Sequence, residues 1–142
     1  MKNHIFLGFI ILFASCNLNT VYKNRESDLI DAEKIANELF KNIDSGDFEE
    51  AKRLFGSKFF KYSSEKDLND LFDSIKTLGE IRNRKLIEWK TIVVEGKNTK
   101  SDYLLRYNSV FPNHQAEELI SMEKENDRIK IYGFQVHSNS FE

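Results

Sequence analysis

The spacing of the apolar residues changes once along this chain of 142 residues, at Gly79. Before Gly79 they recur every three or four positions, which places them on one face of a helix. After Gly79 they alternate with polar residues in segments bounded by turn-forming residues, as in antiparallel strands. Helices followed by strands with short connections predict an α+β fold in which N-terminal helices pack on one face of an antiparallel sheet.

The expected elements follow from these patterns and from residues that start and end helices. Three helices are expected, bounded by Ser27 or Asp28 and Gly46, by Asp47 and Gly56, and by Ser64 and Gly79. Ser64 and Asp67 have the spacing of a capping box. Four strands are expected at residues 84–94, 103–111, 115–124 and 128–137. They predict a four-stranded antiparallel meander.

The N-terminus has the pattern of a targeting segment. Lys2 supplies a positive charge, and the apolar run from Ile5 to Phe13 is nine residues long. A membrane-spanning helix needs about 20 apolar residues. The run is therefore interpreted as part of a signal peptide covering residues 1–15, with cleavage between Ser15 and Cys16.

Cys16 is the only cysteine, so it cannot form a disulfide within the chain. The stretch Leu12-Phe13-Ala14-Ser15-Cys16 resembles the lipobox of bacterial lipoproteins, although Phe13 stands where that pattern prefers leucine. The resemblance implies that Cys16 becomes the N-terminus and carries fatty acids such as palmitate. An ordinary signal peptide with a coincidental cysteine, or a buried free cysteine, is the alternative.

Removal of the leader leaves a tether at residues 16–26 and one domain at residues 27–142. Lys2 is the only charged residue of the leader, so the mature chain has 20 basic and 23 acidic residues and a net charge of −3. This near-balance gives no electrostatic indication of nucleic-acid binding. The expected location is the bacterial cell envelope, in the outer membrane or a periplasm-facing leaflet, with membrane lipid as a partner through the acylated cysteine.

Helices followed by a bent antiparallel sheet resemble the cystatin-like cone of the nuclear-transport-factor-2-like superfamily. Residues 78–136 also resemble a bacterial domain family of unknown function, and the likeness spans most of the chain from Asp28 to His137. The residues that carry this likeness are Leu78, Gly79, Arg84, Phe111, Asn113, Glu117 or Glu118, Ile131, Tyr132, Gly133 and Phe134. The resemblance implies a four-stranded cone with helices packed on it, and it implies no reaction.

Four aromatic residues are candidates for a ligand pocket, because aromatic side chains on a curved sheet can line a cavity. They are Trp89, Tyr103, Tyr107 and Tyr132. The alternative is that they pack between the sheet and the helices. Arg82 and Arg84 are candidates for contact with an anion. Their alternative is a solvated strand start balanced by Glu80 and Glu88.

Catalytic and metal-binding residues are not assigned. His114 and His137 fall in a turn and at a strand end, with no zinc-ligand spacing, and no cofactor is expected. The leading hypothesis is therefore a non-catalytic module that binds a small apolar ligand or an envelope protein. The alternatives are a small hydrolase, isomerase or dehydratase with a pocket inside the cone, and an envelope assembly factor without a small ligand.

Overall fold

The computed structural model describes residues 18–141, which form helices packed against one antiparallel sheet. The helices are α1 (Glu26–Ser45), α2 (Phe48–Lys52), α3 (Ser57–Phe60) and α4 (Glu65–Thr77). The strands are β1 (Thr20–Lys23), β2 (Asn83–Glu95), β3 (Lys100–Val110), β4 (Gln115–Glu125) and β5 (Arg128–Ser138). The α+β class expected from the sequence is confirmed.

The start of α1 differs from the prediction. The helix begins at Glu26 after Arg25, and neither Ser27 nor Asp28 is its N-cap. Asp28 is turned back toward Arg25, and its Oδ1 lies 2.7 Å from Nη2 of that guanidinium. The carboxylate therefore forms an ion pair instead of capping the helix. Gly46 ends α1 in the left-handed conformation, at φ 77°, as expected.

The N-caps of the other predicted helices are confirmed, but the second helix ends at Lys52 and not at Gly56, which instead precedes α3. Asp47 accepts a hydrogen bond from the backbone N–H of Glu50 and begins α2. Ser64 and Asp67 form a reciprocal capping box at the start of α4. A further helical turn, α3, lies in an aromatic segment for which the sequence predicts no helix. It buries Phe59 and leaves Phe60 exposed.

The sheet has five strands in the order β1-β2-β3-β4-β5, so the predicted count of four is wrong. The four predicted strands are present, and the fifth, β1, lies in the segment assigned to the tether. Thr20 pairs with Glu95 and Lys23 pairs with Ile92. Only four residues long, β1 is too short to show an alternation of apolar and polar residues that the sequence could reveal.

The face of the sheet that contacts the helices is called the inner face, and the opposite one the outer face. Alternate residues of β3 from Ser101 to Ser109 point to the inner face and are buried. In β4 the inner residues are Ala116, Glu118, Ile120 and Met122. The buried residues of α1 and α4 complete this core, including Leu39, Phe40 and Phe72.

The segment between α2 and α3 closes the edge of β5. The N–H of Ile131 donates to the carbonyl of Leu54 at 2.9 Å, and the N–H of Gly56 donates to the carbonyl of Ile131 at 2.9 Å. A Cβ atom at Gly56 would lie 2.7 Å from Glu125 and 2.8 Å from Lys130. Glycine is therefore required where the chain meets this edge.

In residues 18–141, no helix combines the length and the apolar character needed to cross a bilayer. Ser15 and Cys16, the predicted cleavage and lipidation residues, lie outside the described residues.

Candidate functional site

Three of the four candidate pocket aromatics lie on the inner face. Tyr103 and Tyr107 are 1% and 4% exposed, and Trp89 is half-buried against the same core. The ring of Tyr107 meets Phe40 of α1 edge-on, with centroids 5.0 Å apart. These side chains pack between the sheet and the helices, as the alternative interpretation holds.

Tyr132 lies on the outer face and is separated from the other three by the sheet itself. Its hydroxyl donates to Oδ1 of Asp102 at 2.8 Å, and Asp102 is an exposed residue of β3. A bulge in β5 places Tyr132 between two paired residues, because Ser121 pairs with Gly133 and Met122 pairs with Ile131. The four aromatics therefore do not line one pocket.

Burial changes the acidity of the two inner tyrosines. Desolvation raises the pKa of Tyr107, and the nearby Glu33 raises it further. Desolvation also raises the pKa of Tyr103. Among the described residues, the hydroxyl of Tyr107 has no hydrogen-bond partner. Its low acidity makes it a poor proton donor at neutral pH.

Arg84 is the centre of a polar cluster on the inner face. Its Nε lies 2.7 Å from Oε2 of Glu118, and its Nη1 lies 3.0 Å from Oδ2 of Asp44 at the end of α1. Ser109 also donates to Glu118, which is fully buried. The guanidinium stacks on Phe40 at 3.8 Å. The anionic partners of Arg84 are therefore carboxylates of its own chain.

Opposing effects act on the pKa of Arg84. Burial lowers it, but the hydrogen bonds to Asp44 and the charge of Glu118 outweigh burial, so the pKa is raised. The guanidinium remains charged at every pH at which proteins are stable. With Arg84 and Ser109 both bonded to Oε2 of Glu118, the arrangement neutralises a buried carboxylate and does not leave it free as a base.

Arg82 does not join this cluster. It is exposed just before β2, where its backbone N–H donates to the carbonyl of Val110 at 2.9 Å. The sequence predicts that Glu88 helps to balance the charge of Arg82 and Arg84. In the structure Glu88 lies 3.0 Å from Arg106 instead. The two arginines therefore do not form one anion site: Arg82 is exposed, and Arg84 is bonded to carboxylates of its own chain.

The outer face carries partly exposed apolar side chains that run diagonally across the strands and are called the outer strip. Its members come from β2, β3, β4 and β5 and are Ile92, Leu104, Leu119 and Tyr132. In the register, Asp102 stands opposite Ile92, Ser121 opposite Leu104, and Arg106 opposite Leu119. Part of the strip lines a shallow groove of about 160 Å³ together with Lys90 and Asp102. Each of these apolar side chains is partly open to solvent, and α3 reaches the edge of this face through Lys58, which contacts Tyr132.

Several charged residues beside the outer strip are paired with one another, although Lys90 forms no salt bridge within residues 18–141. Arg106 lies 3.0 Å from both Glu88 and Glu117. Lys58 of α3 lies 2.7 Å from Glu123, and its ammonium is 3.9 Å from the centre of the Tyr132 ring. Desolvation, followed by the hydrogen bond to Asp102, raises the pKa of Tyr132 to about 12. The strip therefore has apolar side chains bordered by polar residues, several of which are paired with one another.

Sequence reasoning missed Asp44 and Glu118 as partners of Arg84. The sequence signal for Glu118 is its position in the strand. It points to the same face as Ala116, Ile120 and Met122, which are all buried. A buried carboxylate in that position requires a nearby cation or hydrogen-bond donors. The partner could not be identified without the pairing of β2 with β3 and of β3 with β4.

The two mature-chain histidines do not converge. His114 lies in the turn between β3 and β4, and His137 lies exposed near the end of β5. Within residues 18–141, no group of three or more His, Cys, Asp or Glu residues is arranged to hold a metal ion.

No protein-family model, no curated protein and no solved structure matches this chain.

Proposed function

We propose that the protein is a bacterial envelope lipoprotein, anchored through Cys16, whose folded domain binds another envelope protein without catalysing a reaction. The observation that carries the binding role is the contrast between the two faces of the sheet. The centre of the inner face is packed and the charges of Arg84 and Glu118 are paired, whereas the outer face presents the partly exposed outer strip.

The packed centre of the inner face favours a protein partner over a small apolar ligand or a substrate. Around Tyr103, Tyr107 and Phe40, the space between the sheet and α1 is occupied by packed side chains. A cavity of about 470 Å³ lies farther along, between α1 and the turn that joins β4 to β5. Its lining is mostly charged and does not suit an apolar ligand; the charged residues are Asp31, Lys34, Lys124, Asp127, Arg128 and Lys130. An acid–base site would also need a free titratable group within reach of a ligand. The buried carboxylate of Glu118 is engaged by Arg84 and Ser109.

The outer strip has the composition of a protein-binding surface. Interfaces bury an apolar centre that is surrounded by a polar rim. Leu104 and Leu119 form the centre, and the pairs of Arg106 with Glu88 and Glu117 form one side of the rim. Since these rim charges satisfy one another, a partner that covers Leu104 and Leu119 need not neutralise them.

We further propose that the fold is the cystatin-like cone. Supporting features are one long helix, α1, that follows β1 and packs on the inner face, and the sequential order of the five antiparallel strands. Bulges in β2 beside Leu86 and in β5 at Tyr132 supply local bends of the kind that a curved sheet needs.

The anchor is tested by the intact mass of the membrane fraction from bacteria that express the full chain. A mature chain that starts at Cys16 and carries acyl groups is expected. The Cys16→Ser variant should lose both the added mass and the membrane association. Cleavage without added lipid, and a variant that fractionates like the wild type, would overturn the anchored assignment.

The binding surface is tested by placing a photo-crosslinking residue at Leu104 or at Leu119 in intact cells. Ile30, an exposed apolar residue of α1, is the control position. Capture of the same envelope protein from both strip positions and not from Ile30 is expected. Equal capture from all three positions, or none from the strip, would contradict a partner on the outer face.

A matched pair of charge insertions separates binding from folding. Leu104→Lys should reduce recovery of the captured protein at least tenfold, about 1.4 kcal/mol of binding free energy. Ile30→Lys should leave recovery unchanged. Thermal unfolding of both variants provides the folding control, because both side chains already contact solvent.

A further inference from the structure

Three structural features meet at one end of the sheet. The turn between β2 and β3 covers residues 96–99, and the turn between β4 and β5 covers residues 126–127. The start of β1 lies beside them, because Thr20 pairs with Glu95. We call this end of the domain the turn end. A cavity of about 260 Å³ lies between the two turns.

Leu18 and Asn19 are fixed against the first of these turns. The side-chain oxygen of Asn19 accepts a hydrogen bond from the backbone N–H of Asn98 at 3.3 Å. A Cβ atom at Gly96 would lie 2.9 Å from the carbonyl oxygen of Leu18, so the two backbones are in close contact. The N-terminal end of the described chain therefore lies at the turn end.

Covalent geometry then limits the position of Cys16. Only Asn17 separates Cys16 from Leu18, and two residue steps span at most about 7 Å. An acyl chain carried by Cys16 would therefore be attached within this distance of Leu18. The tether expected at residues 16–26 would have allowed the domain to move away from the membrane, but β1 shortens it.

The turn end carries exposed positive charge. Lys97, Lys100, Lys124 and Arg128 are exposed, and within residues 18–141 none of the four forms a salt bridge. The acidic residues of the same turns and strand ends are Glu95, Glu125 and Asp127. Glu95 is paired with Arg25, and Glu125 accepts hydrogen bonds from Ser57.

Exposed apolar side chains accompany these cations. Leu18 is 79% exposed and Val21 is 52% exposed. Val21 belongs to β1 and Leu18 lies two residues before that strand, so both are close to Cys16 along the chain. Apolar side chains beside lysines are the composition of surfaces that rest in the headgroup region of a bilayer. A chain held at this distance from the membrane brings both kinds of residue to that region.

We propose that the turn end is a membrane-contact surface, on which the domain stands on a bilayer containing anionic lipid headgroups. This inference rests on the proposed acylation of Cys16. The four cations contact the headgroups, and Leu18 enters the interface beside the acyl chains. The strands then run away from the membrane, and the turn at residues 111–114 lies at the opposite end of the sheet.

The orientation can be measured by comparing the distances of Thr99 and Asn113 from the membrane. A strand of 11 residues such as β3 spans about 36 Å, so Asn113 lies far from the membrane when Thr99 lies against it. Because Cys16 is the only native cysteine and is acylated in the mature protein, a second cysteine introduced at either position is a unique free thiol.

The experiment uses the full chain, expressed and acylated in bacteria, with Thr99→Cys or Asn113→Cys labelled by a fluorophore. The protein is placed in vesicles of about one third phosphatidylglycerol, the remainder being phosphatidylcholine, with nitroxide-labelled headgroups as quencher. Quenching at Thr99 is expected to exceed that at Asn113 at least threefold. Equal quenching at both positions of an acylated protein would overturn the membrane-contact surface and leave the anchor intact.

Intact mass is measured on the same sample. An unmodified Cys16 would refute the proposed anchor, and this inference with it, so the two failures are distinguishable. The charge requirement is tested with Lys97→Glu, Lys100→Glu and Lys124→Glu together. A lysine near an anionic surface changes the binding constant on the order of fivefold. The triple variant should therefore reduce the contrast between the two labelled positions.

Lys41→Glu, Lys61→Glu and Lys85→Glu together are the matched control. These lysines are also exposed, lie outside the turn end and form no salt bridge within the described part of the chain. The control should keep the contrast between Thr99 and Asn113. An equal loss in both triple variants would show that the location of the charge is irrelevant and would overturn the role of the turn-end cations.

Discussion

Arg84 of β2 and Glu118 of β4 form a 2.7 Å salt bridge across the intervening strand β3, on the face of the sheet that the helices cover. Glu118 is fully buried, and Arg84 also bonds to Asp44 at the end of α1. The pair therefore links three elements that are distant in sequence. Its carboxylate has no access to water that could replace the guanidinium.

Removal of one member of this pair is expected to destabilise the fold more than removal of both. Arg84→Met leaves the carboxylate of Glu118 buried without its cation, at a cost of about 3–5 kcal/mol in the free energy of unfolding. Arg84→Met combined with Glu118→Leu removes the unpaired charge and should recover at least half of that loss. Urea unfolding of the three proteins measures the difference.

The control for this cycle is Lys58→Met with Glu123→Leu, a partly exposed pair on the outer face. Surface pairs contribute about 0–1 kcal/mol, so the single and double variants should differ little. A double variant at Arg84 and Glu118 that is no more stable than Arg84→Met alone would contradict the burial argument.

Gly96 is expected to control the attachment of β1. It has φ 135°, a conformation that side chains rarely adopt, and a Cβ atom there would lie 2.6 Å from the side-chain oxygen of Asn19. Gly96→Ala should therefore displace β1 in addition to straining the turn, and about 1–3 kcal/mol of stability should be lost. Hydrogen exchange of the amides of residues 20–23 measures whether β1 is released.

Gly46→Ala provides the comparison, because Gly46 also has positive φ but has nothing within 4 Å of its Cβ position. The cost there is backbone strain alone, about 1–2 kcal/mol. Amide exchange in β1 should stay unchanged. If Gly96→Ala leaves β1 as protected as Gly46→Ala does, the close contact at Asn19 does not hold the strand.

The capping box of α4 gives a prediction with a pH dependence. Ser64→Ala should lower stability by about 1 kcal/mol, because its hydroxyl accepts from the N–H of Asp67. Hydrogen bonds from the backbone and side chain of Ser64 lower the pKa of Asp67. The stability that ionised Asp67 contributes is therefore present above its unfolded pKa of about 3.9 and is lost as pH falls through the lower folded value.

Thermal unfolding of Asp67→Asn at neutral pH and at about pH 2 tests this sign. The variant should be less stable than the wild type at neutral pH, and the difference should shrink in acid. Asp73→Asn, an exposed change in the same helix, is the control and should show neither effect. A difference between wild type and Asp67→Asn that grows in acid would refute the cap.

The sequence predicted most of the elements because their signals are local. The three- and four-residue period of α1, the glycine at its end and the alternation in β3 and β4 need no partner to be read. β1 lacked such a signal, because four residues cannot establish an alternation. Its strand conformation depends on pairing with residues 92–95, which are distant in sequence.

The candidate site was predicted less well because it depends on which residues share a face. Alternation correctly groups Tyr103 with Tyr107, since both lie in one strand. It cannot compare phase across strands, where a bulge at Tyr132 shifts the register by one residue. The pairing of Arg84 with Glu118 likewise depends on the order of the strands.

Alkaline titration of Tyr132 tests its place on the outer face. Its pKa is raised to about 12, first by desolvation and then by the hydrogen bond to Asp102. A raised folded pKa means that the contribution of neutral Tyr132 to stability is fully present below about pH 10, the unfolded value. The contribution is lost as pH rises from about 10 to about 12.

The measurement is the tyrosinate absorbance of the wild type minus that of Tyr132→Phe, recorded against pH. The difference curve isolates one hydroxyl from the other tyrosines, and its midpoint should lie near pH 12. In Asp102→Asn the neighbouring negative charge is removed, so the midpoint should move down toward 10. A midpoint near 10 in the wild type, or one unaffected by Asp102→Asn, would mean that the hydroxyl does not bond to Asp102 in solution.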